Sequence, residues 1–549
     1  MNFDDIDISH KTISFFKKEK FSCFETANSI LKDLTGIVDF FCNKDDFSQL
    51  ERIYKINQKI VLKNDVEYGD FQTNTHLVKS VCNLLQKKNV NPKILIEPTC
   101  GKGNFILEAI KIFSSIQQVF GIEIQEKYLW FIKFKLLDYF LENPDANKPQ
   151  INLYHRSVFD FDFRQVYNQI QGQELLIIGN PPWVTNSTLS ALNSKNLPKK
   201  SNFKNTKGID AITGKGNFDI GEFISLKMLD LFSQENGHFA FLIKNSVIKN
   251  IVFEQKTNKY PIADIEKLTI NSKKEFGAAV DSSLFVCKFN SNPEVTAKEF
   301  DFYTSKLRVS FGWVNNKFAS DIEKYKKYQH LEGICPYEWR QGIKHDCVKI
   351  MELERINGGF RNALGEEFEL EEDLVYGILK SSDLKGDIVD IPRKYTIITQ
   401  KRIGEETSQI LEQLPKTKSY LHRHKEYFFN RKSNIYKGKP MFSIFGVGDY
   451  SFKPFKVAIS GLYKQTKFTL VKPNGTALLL DDTCYFIGFD SLEEAQNIQN
   501  LLNQSETQEF IESYMFTDSK RAITKELLMR IGLVNHSVNH GKWKYLTLF

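Results

Sequence analysis

Lys93-Ile94-Leu95-Ile96-Glu97-Pro98-Thr99-Cys100-Gly101-Lys102-Gly103-Asn104-Phe105 reads as a short strand, a tight turn and the start of a helix. The apolar run ends abruptly at Glu97 and Pro98, and Gly101 and Gly103 let the backbone turn sharply and come close to a ligand. A glycine pair alone also fits an ordinary βα turn with no ligand. The next apolar run, Val119-Phe120-Gly121-Ile122, leads into Glu123 and Ile124. An acidic residue at the end of a second strand can accept both ribose hydroxyls of a nucleotide-like cofactor. A dinucleotide site needs a third glycine and a helix N-terminus facing a pyrophosphate. Here the third position is Ile106, and Glu97 would repel a pyrophosphate. A carboxylate at that point suits the cationic sulfonium and amino group of S-adenosyl-L-methionine, which is the cofactor expected.

The alternation extends on both sides. Ile151-Asn152-Leu153-Tyr154, Leu175-Leu176-Ile177-Ile178 and Phe239-Ala240-Phe241-Leu242-Ile243 are further short apolar runs, with helical candidates at Phe105 to Ser114 and Ile220 to Phe232. Strands alternating with helices imply a doubly wound α/β sheet over residues 66–310, which binds ligands at the carboxyl ends of its strands. Residues 1–65 mix charged and apolar residues at helical spacing, as in Ser29-Ile30-Leu31-Lys32-Asp33-Leu34, and predict a helical N-terminal extension. The alternation stops near residue 310. A boundary is expected between 300 and 330, followed by a mixed α/β domain over 320–549.

The fourth run passes straight into Gly179-Asn180-Pro181-Pro182-Trp183. Two prolines and a glycine make a rigid exit from a strand, and a simple terminating turn needs no more. Such a turn has no use for an Asn before the prolines or an aromatic after them. An exocyclic amine on a base does. Its lone pair is conjugated with the ring, and acceptors aimed at its hydrogens favour a pyramidal, nucleophilic nitrogen. The Asn180 side-chain oxygen and the Pro181 carbonyl can supply two acceptors, and Pro182 contributes no N–H to compete. Trp183 can stack on the base. This is catalysis by positioning and electrostatics, without a covalent intermediate.

These segments, in this order, resemble the gamma-class amino-methyltransferases of DNA, the group of the Taq-type adenine-N6 enzyme. The resemblance covers about residues 60 to 290 and begins with Tyr68-Gly69-Asp70-Phe71-Gln72-Thr73. It implies a cofactor site of Thr73 near the methionine carboxylate, Glu97, Pro98, Cys100, Gly101 and Gly103 along the methionine part, Glu123 on the ribose and Ile124 against the adenine. It adds Asn180 and Pro182 to the cofactor site and Phe223 on the cofactor adenine. Phe276 would join Asn180, Pro181, Pro182 and Trp183 around the flipped target base. Phenylalanine is abundant in this chain, at 46 residues, so Phe223 and Phe276 gain weight only from the motif order. Three positions depart from the family pattern. Ser157 stands where an Asp often contacts the cofactor adenine, which weakens that contact or moves it to Asp160. Trp183 replaces Tyr or Phe, and Asn74 replaces a frequent proline.

The implied activity is methyl transfer to the N6 amine of adenine in double-stranded DNA by base flipping. The enzyme would be the modification partner of a restriction endonuclease that shares its recognition site. Cytosine-N4 in DNA, protein glutamine and RNA remain alternative acceptors. Lys199, Lys200 and Lys204, in the polar segment between Trp183 and Phe218, are candidate phosphate contacts. Trp339, Arg340 and Lys344 form a basic-aromatic cluster in the expected target-recognition domain. The net charge of +7 over 549 residues permits a polyanionic partner without demanding one. The eight cysteines form no CxxC pair, so neither a zinc site nor a disulfide framework is expected. The acidic start, Met1-Asn2-Phe3-Asp4-Asp5, is not a secretory signal, and no apolar run is long enough to span a membrane. A cytoplasmic protein is expected. Catalysis and recognition share one chain, so two copies are not needed and a monomer is expected.

Overall fold

The five apolar runs become parallel strands of one sheet: β1 (Ile94–Glu97), β2 (Gln118–Glu123), β3 (Gln150–His155), β4 (Leu175–Gly179) and β5 (Gly237–Lys244). Every residue of β1 and β4 is buried, which is why they read as unbroken apolar runs. Four more strands before residue 316 extend the sheet: β6 (Ala263–Thr269), β7 (Ser282–Lys288), β8 (Thr296–Asp301) and β9 (Leu307–Val314). The order is β9-β8-β6-β7-β5-β4-β1-β2-β3, with β7 antiparallel to both β5 and β6. The order reverses between β1 and β4, which pair in parallel through Ile94–Leu175, Leu95–Leu176 and Ile96–Ile177. Their carboxyl ends therefore open side by side, at the place where such sheets bind ligands. The expected α/β fold is met.

The computed structural model describes residues 8–19, 21–48, 73–170, 172–184, 219–277, 280–518 and 521–533, which divide into units 1–315 and 316–549. The helices of the first unit are α1 (His10–Lys18), α2 (Phe24–Thr35), α3 (Thr75–Lys87), α4 (Asn104–Ile112), α5 (Glu126–Glu142), α6 (Arg164–Ile170), α7 (Ile220–Phe232), α8 (Asn245–Asn258) and α9 (Ser272–Phe276). None of the described helices is long and apolar enough to cross a membrane.

The N-terminal helices belong to the first unit. Ser9 caps α1, and both Ser9 and Thr12 donate to Asp138 on α5. Phe16, Phe40 and Phe41 join Trp130 and Phe134 of α5 in the same apolar core as the sheet. The buried Lys133 ammonium donates to Phe40 O at 2.6 Å and lies 4.4 Å from the Trp130 ring. After α2 the chain reaches the outer edge of β3. There Ile151 N–H donates to Gly36 O, and Val38 N–H donates to Ile151 O. An otherwise open strand edge is thereby covered.

The second unit contains two sheets. One runs Arg340–Gln341, Cys484–Phe489, Phe455–Ser460, Thr469–Val471 and Ile388–Val389. The other runs Glu367–Phe368, Gly359–Arg361, Glu352–Ile356, Lys394–Ile397, Val375–Leu379 and Leu479–Leu480. Trp339 corrects the sequence-based expectation. Its side chain is fully buried and packs 5.7 Å from the Phe468 ring, so it is a core residue and has no face for DNA. Arg340 is ion-paired with Glu338 and lies over the Tyr450 ring, and Lys344 is 3.6 Å from Asp346.

Gly36 has φ +77°, and a Cβ there would meet Pro149 O at 2.0 Å. Gly36→Ala is expected to lower the unfolding free energy by about 1–3 kcal/mol. Urea denaturation measures this, and unchanged stability would contradict the edge-docking role.

Candidate functional site

A cavity of about 250 Å³ opens at the carboxyl ends of β1, β2 and β4. That is close to the lower limit for small-molecule sites, roughly 300 Å³. The turn after β1 supplies Glu97, Pro98, Thr99, Cys100 and Gly101, and β2 supplies Ile122, Glu123 and Ile124. The exit of β4 supplies Asn180, Pro181, Pro182 and Trp183, and Thr73 enters just before α3.

The turn is built for close approach. Gly101 and Gly103 both have positive φ, at +49° and +71°. A Cβ on Gly103 would lie 2.4 Å from Ile132 of α5, so only glycine lets α4 start here. The Gly101 N–H donates to one Glu123 oxygen at 2.8 Å, and the Gln125 N–H donates to the other at 2.8 Å. These bonds fix the Glu123 carboxylate at the wall of the cavity. Ile124, 40% exposed, offers an apolar surface beside it.

Glu97 is buried, and its Oε2 has no hydrogen-bond partner among the described residues. The same holds for the Thr99 hydroxyl. Burial raises the Glu97 pKa well above the ordinary carboxylate range. A hydrogen bond from the Ile106 backbone opposes that rise, and the nearby Glu123 charge reinforces it. Two carboxylates in one cavity, one with an unmatched oxygen, fit a cationic ligand that carries hydroxyls. The amino, sulfonium and ribose groups of S-adenosyl-L-methionine meet that description.

Asn180 sits where β4 ends. Its Nδ2 donates to Thr73 Oγ1 at 3.0 Å, which turns the amide oxygen to the opposite side. The Thr73 carbonyl in turn accepts from Asn104 Nδ2 at 2.7 Å, and Asn104 Oδ1 accepts from Lys135 at 2.6 Å. Trp183 is held by its indole N–H, which donates to Leu242 O at 3.2 Å, and by the Phe276 ring, edge-on at 4.7 Å. Asn74 caps α3 and also donates to Glu275 on α9, beside Phe276. Val184 and Ile220 are joined by a backbone hydrogen bond.

Most of the residues singled out from sequence converge on this cavity: Thr73, Glu97, Pro98, Cys100, Gly101, Glu123, Ile124, Asn180, Pro181, Pro182 and Trp183. Four sit one layer back. Gly103 shapes the turn. Phe276 acts through Trp183. Phe223 packs edge-on against Phe159 at 5.5 Å, while Ile220 and Ile224 of its helix reach the cavity. The Ser157 hydroxyl accepts from the Phe159 N–H, and its neighbours Arg156, Val158 and Phe159 line the cavity. Asn104, Thr99 and Tyr128 line it without having been singled out. The Asn after the second glycine of the turn was the available signal for Asn104. Lys199, Lys200, Lys204 and residues 68–72 lie outside the described residues.

The fold is a mixed α/β fold with a large central sheet. The chain belongs to the type II methyltransferase family. It is 40% identical over 476 residues to Type II methyltransferase M.NspV of Nostoc sp., across 86% of this chain and 98% of that protein. Type II methyltransferase M.VspI of a Vibrio strain is 24% identical over 215 residues, 39% of this chain and 46% of that protein. The type IIL restriction-modification enzyme MmeI, solved in complex with DNA, superposes with a TM-score of 0.49 at 12% identity, over 86% of this chain and 73% of that one. No protein-family model matches the chain.

The raised Glu97 pKa has a stability consequence. The folded state resists ionisation of Glu97, so the penalty is absent below the ordinary value of 4.5, grows as pH rises toward the raised value and is full above it. Glu97→Gln removes the charge at constant shape. The ligand-free variant is expected to melt above the parent at neutral pH, with the gap closing near about pH 4. Thermal melts across that range check this, and a lower melting variant at neutral pH would contradict it.

Proposed function

We propose that the protein transfers the methyl group of S-adenosyl-L-methionine to the N6 amine of adenine in double-stranded DNA. The target base would be extruded from the helix. The observation that carries this reading is the Asn180 amide, tethered by Thr73 at the end of β4 and lining one cavity with Glu97, Glu123 and Trp183. The order of the motifs from Thr73 to Phe276 supports placing the chain in the gamma class. Membership of the type II methyltransferase family supports a modification role, with a cognate restriction endonuclease of the same specificity as its counterpart. The protein is proposed to act as a monomer.

When bound, S-adenosyl-L-methionine supplies an electrophilic methyl group on a sulfonium. Glu97 Oε2 would hold the amino group, and Glu123 the ribose hydroxyls. Ile124 would cover the cofactor adenine. The Asn180 side-chain oxygen and the Pro181 carbonyl would accept the two amine hydrogens and bring the nitrogen lone pair toward the methyl group. Trp183, braced by Leu242 O and Phe276, would pack against the target base. As the methyl group passed from sulfur to nitrogen, the amine proton held by these acceptors would leave to solvent. Preorganised acceptors of this kind contribute about 10²–10³-fold to turnover.

The direct test is incubation with methyl-labelled cofactor and duplex DNA, followed by identification of the modified nucleoside. N6-methyladenine is expected. N4-methylcytosine would move the reading to the other base that Trp183 can stack on. Label in protein or RNA, with none in DNA, would overturn it. Asn180→Ala is expected to lower kcat by about 10²–10³-fold with a much smaller effect on cofactor affinity. Thr73→Val, which removes the acceptor that orients Asn180, is expected to lower kcat about tenfold, and Thr73→Ser to restore it.

A further inference from the structure

Residues 423–439 of the second unit carry six Lys/Arg (Arg423, Lys425, Arg431, Lys432, Lys437 and Lys439) against a single acid, Glu426. This short segment holds an excess of five positive charges, where the whole chain has +7. Elsewhere in the unit many cations meet carboxylates, as Arg340 meets Glu338, Arg355 meets Glu372 and Lys380 meets Glu352. Within 423–439 only Arg431 turns inward. Its guanidinium lies 3.6 Å from the Tyr436 ring centroid and donates to Ser443 O and Met441 O. That stack folds the segment on itself between residues 431 and 436. Arg423, Lys425, Lys432, Lys437 and Lys439 are exposed, with no carboxylate in ion-pair range among the described residues. Among them stands Phe429, 66% exposed.

Unpaired cations around an exposed aromatic ring fit a polyanion that also presents flat apolar groups. We propose that residues 423–439 form a contact face for duplex DNA, with the five exposed cations on phosphates and Phe429 against sugars or bases. The assignment rests on the DNA reading above and gives it a surface. An anionic membrane fits less well. The two helices here have nine and five residues and present no continuous apolar face.

The test is duplex binding as a function of salt, using the full chain with Lys425→Gln, Lys432→Gln, Lys437→Gln and Lys439→Gln combined. Each lost phosphate contact removes about 0.9 from the slope of log affinity against log salt. The variant is expected to show a slope shallower by about 2–4 and at least about a tenfold loss of affinity near physiological salt. Its melting temperature and cofactor affinity should match the parent. A control with Lys385→Gln, Lys464→Gln and Lys472→Gln, exposed lysines outside the segment, should keep the parental slope. Phe429→Ala should weaken binding without changing the slope. If the parent binds and methylates duplex DNA while the four-lysine variant keeps the parental slope, this face is wrong and the DNA reading stands. If the parent neither binds nor methylates duplex DNA, both fall. Loss of binding to RNA or to anionic vesicles alone, with the duplex slope unchanged, also overturns the assignment.

Discussion

The parallel pairing of β1 with β4 is the constraint on which the rest of the first unit depends. The sheet order reverses between these two strands, so the crossovers after them run in opposite directions and leave their carboxyl ends open. One end carries Glu97 and the glycine turn, and the other carries Gly179 and Asn180. A Cβ on Gly179 would lie 3.5 Å from Glu97 Cγ, which shows how closely the two exits pass. A group bound to the first exit is therefore beside the second without any movement of the scaffold. Thr73 ties the arrangement across the top. Its hydroxyl holds Asn180, and its carbonyl holds Asn104 at the start of α4.

The site gives up stability for this. A buried carboxylate with an unmatched oxygen is costly, and Glu97 also faces the Glu123 charge. A cationic ligand supplies what the fold withholds, so occupancy and stability are linked. The aromatic side of the cavity is treated differently. Trp183 has its indole N–H satisfied and one edge braced by Phe276, and so presents a fixed face. Asn74 connects the two halves. By capping α3 and bonding Glu275, it links the segment that holds Asn180 to the helix that holds Phe276. Where relatives of the resembled family often carry proline, this side chain gives a polar tie that proline cannot.

The central strands were readable because burial on both faces leaves an unbroken apolar run, as in Leu175-Leu176-Ile177-Ile178. β6, Ala-Asp-Ile-Glu-Lys-Leu-Thr, was not readable. It mixes charges into the strand, and Lys267 is satisfied by Glu299 of the neighbouring β8. The cavity was largely readable because its residues sit at strand ends in local motifs. What had no local signal were the long-range bonds, Thr73 to Asn180 and Asn74 to Glu275. Trp339 misled because one aromatic among charged residues has no period to tell inside from outside. The charge excess at 423–439 was visible in composition, but the absence of carboxylate partners there was not.

The most direct measurement is a crystal structure with S-adenosylhomocysteine, the demethylated cofactor. The account predicts its amino group within hydrogen-bond distance of Glu97 Oε2, its ribose hydroxyls on Glu123, its adenine against Ile124 and its sulfur facing Asn180. A ligand bound elsewhere, with Glu97 Oε2 still unpartnered, would contradict it.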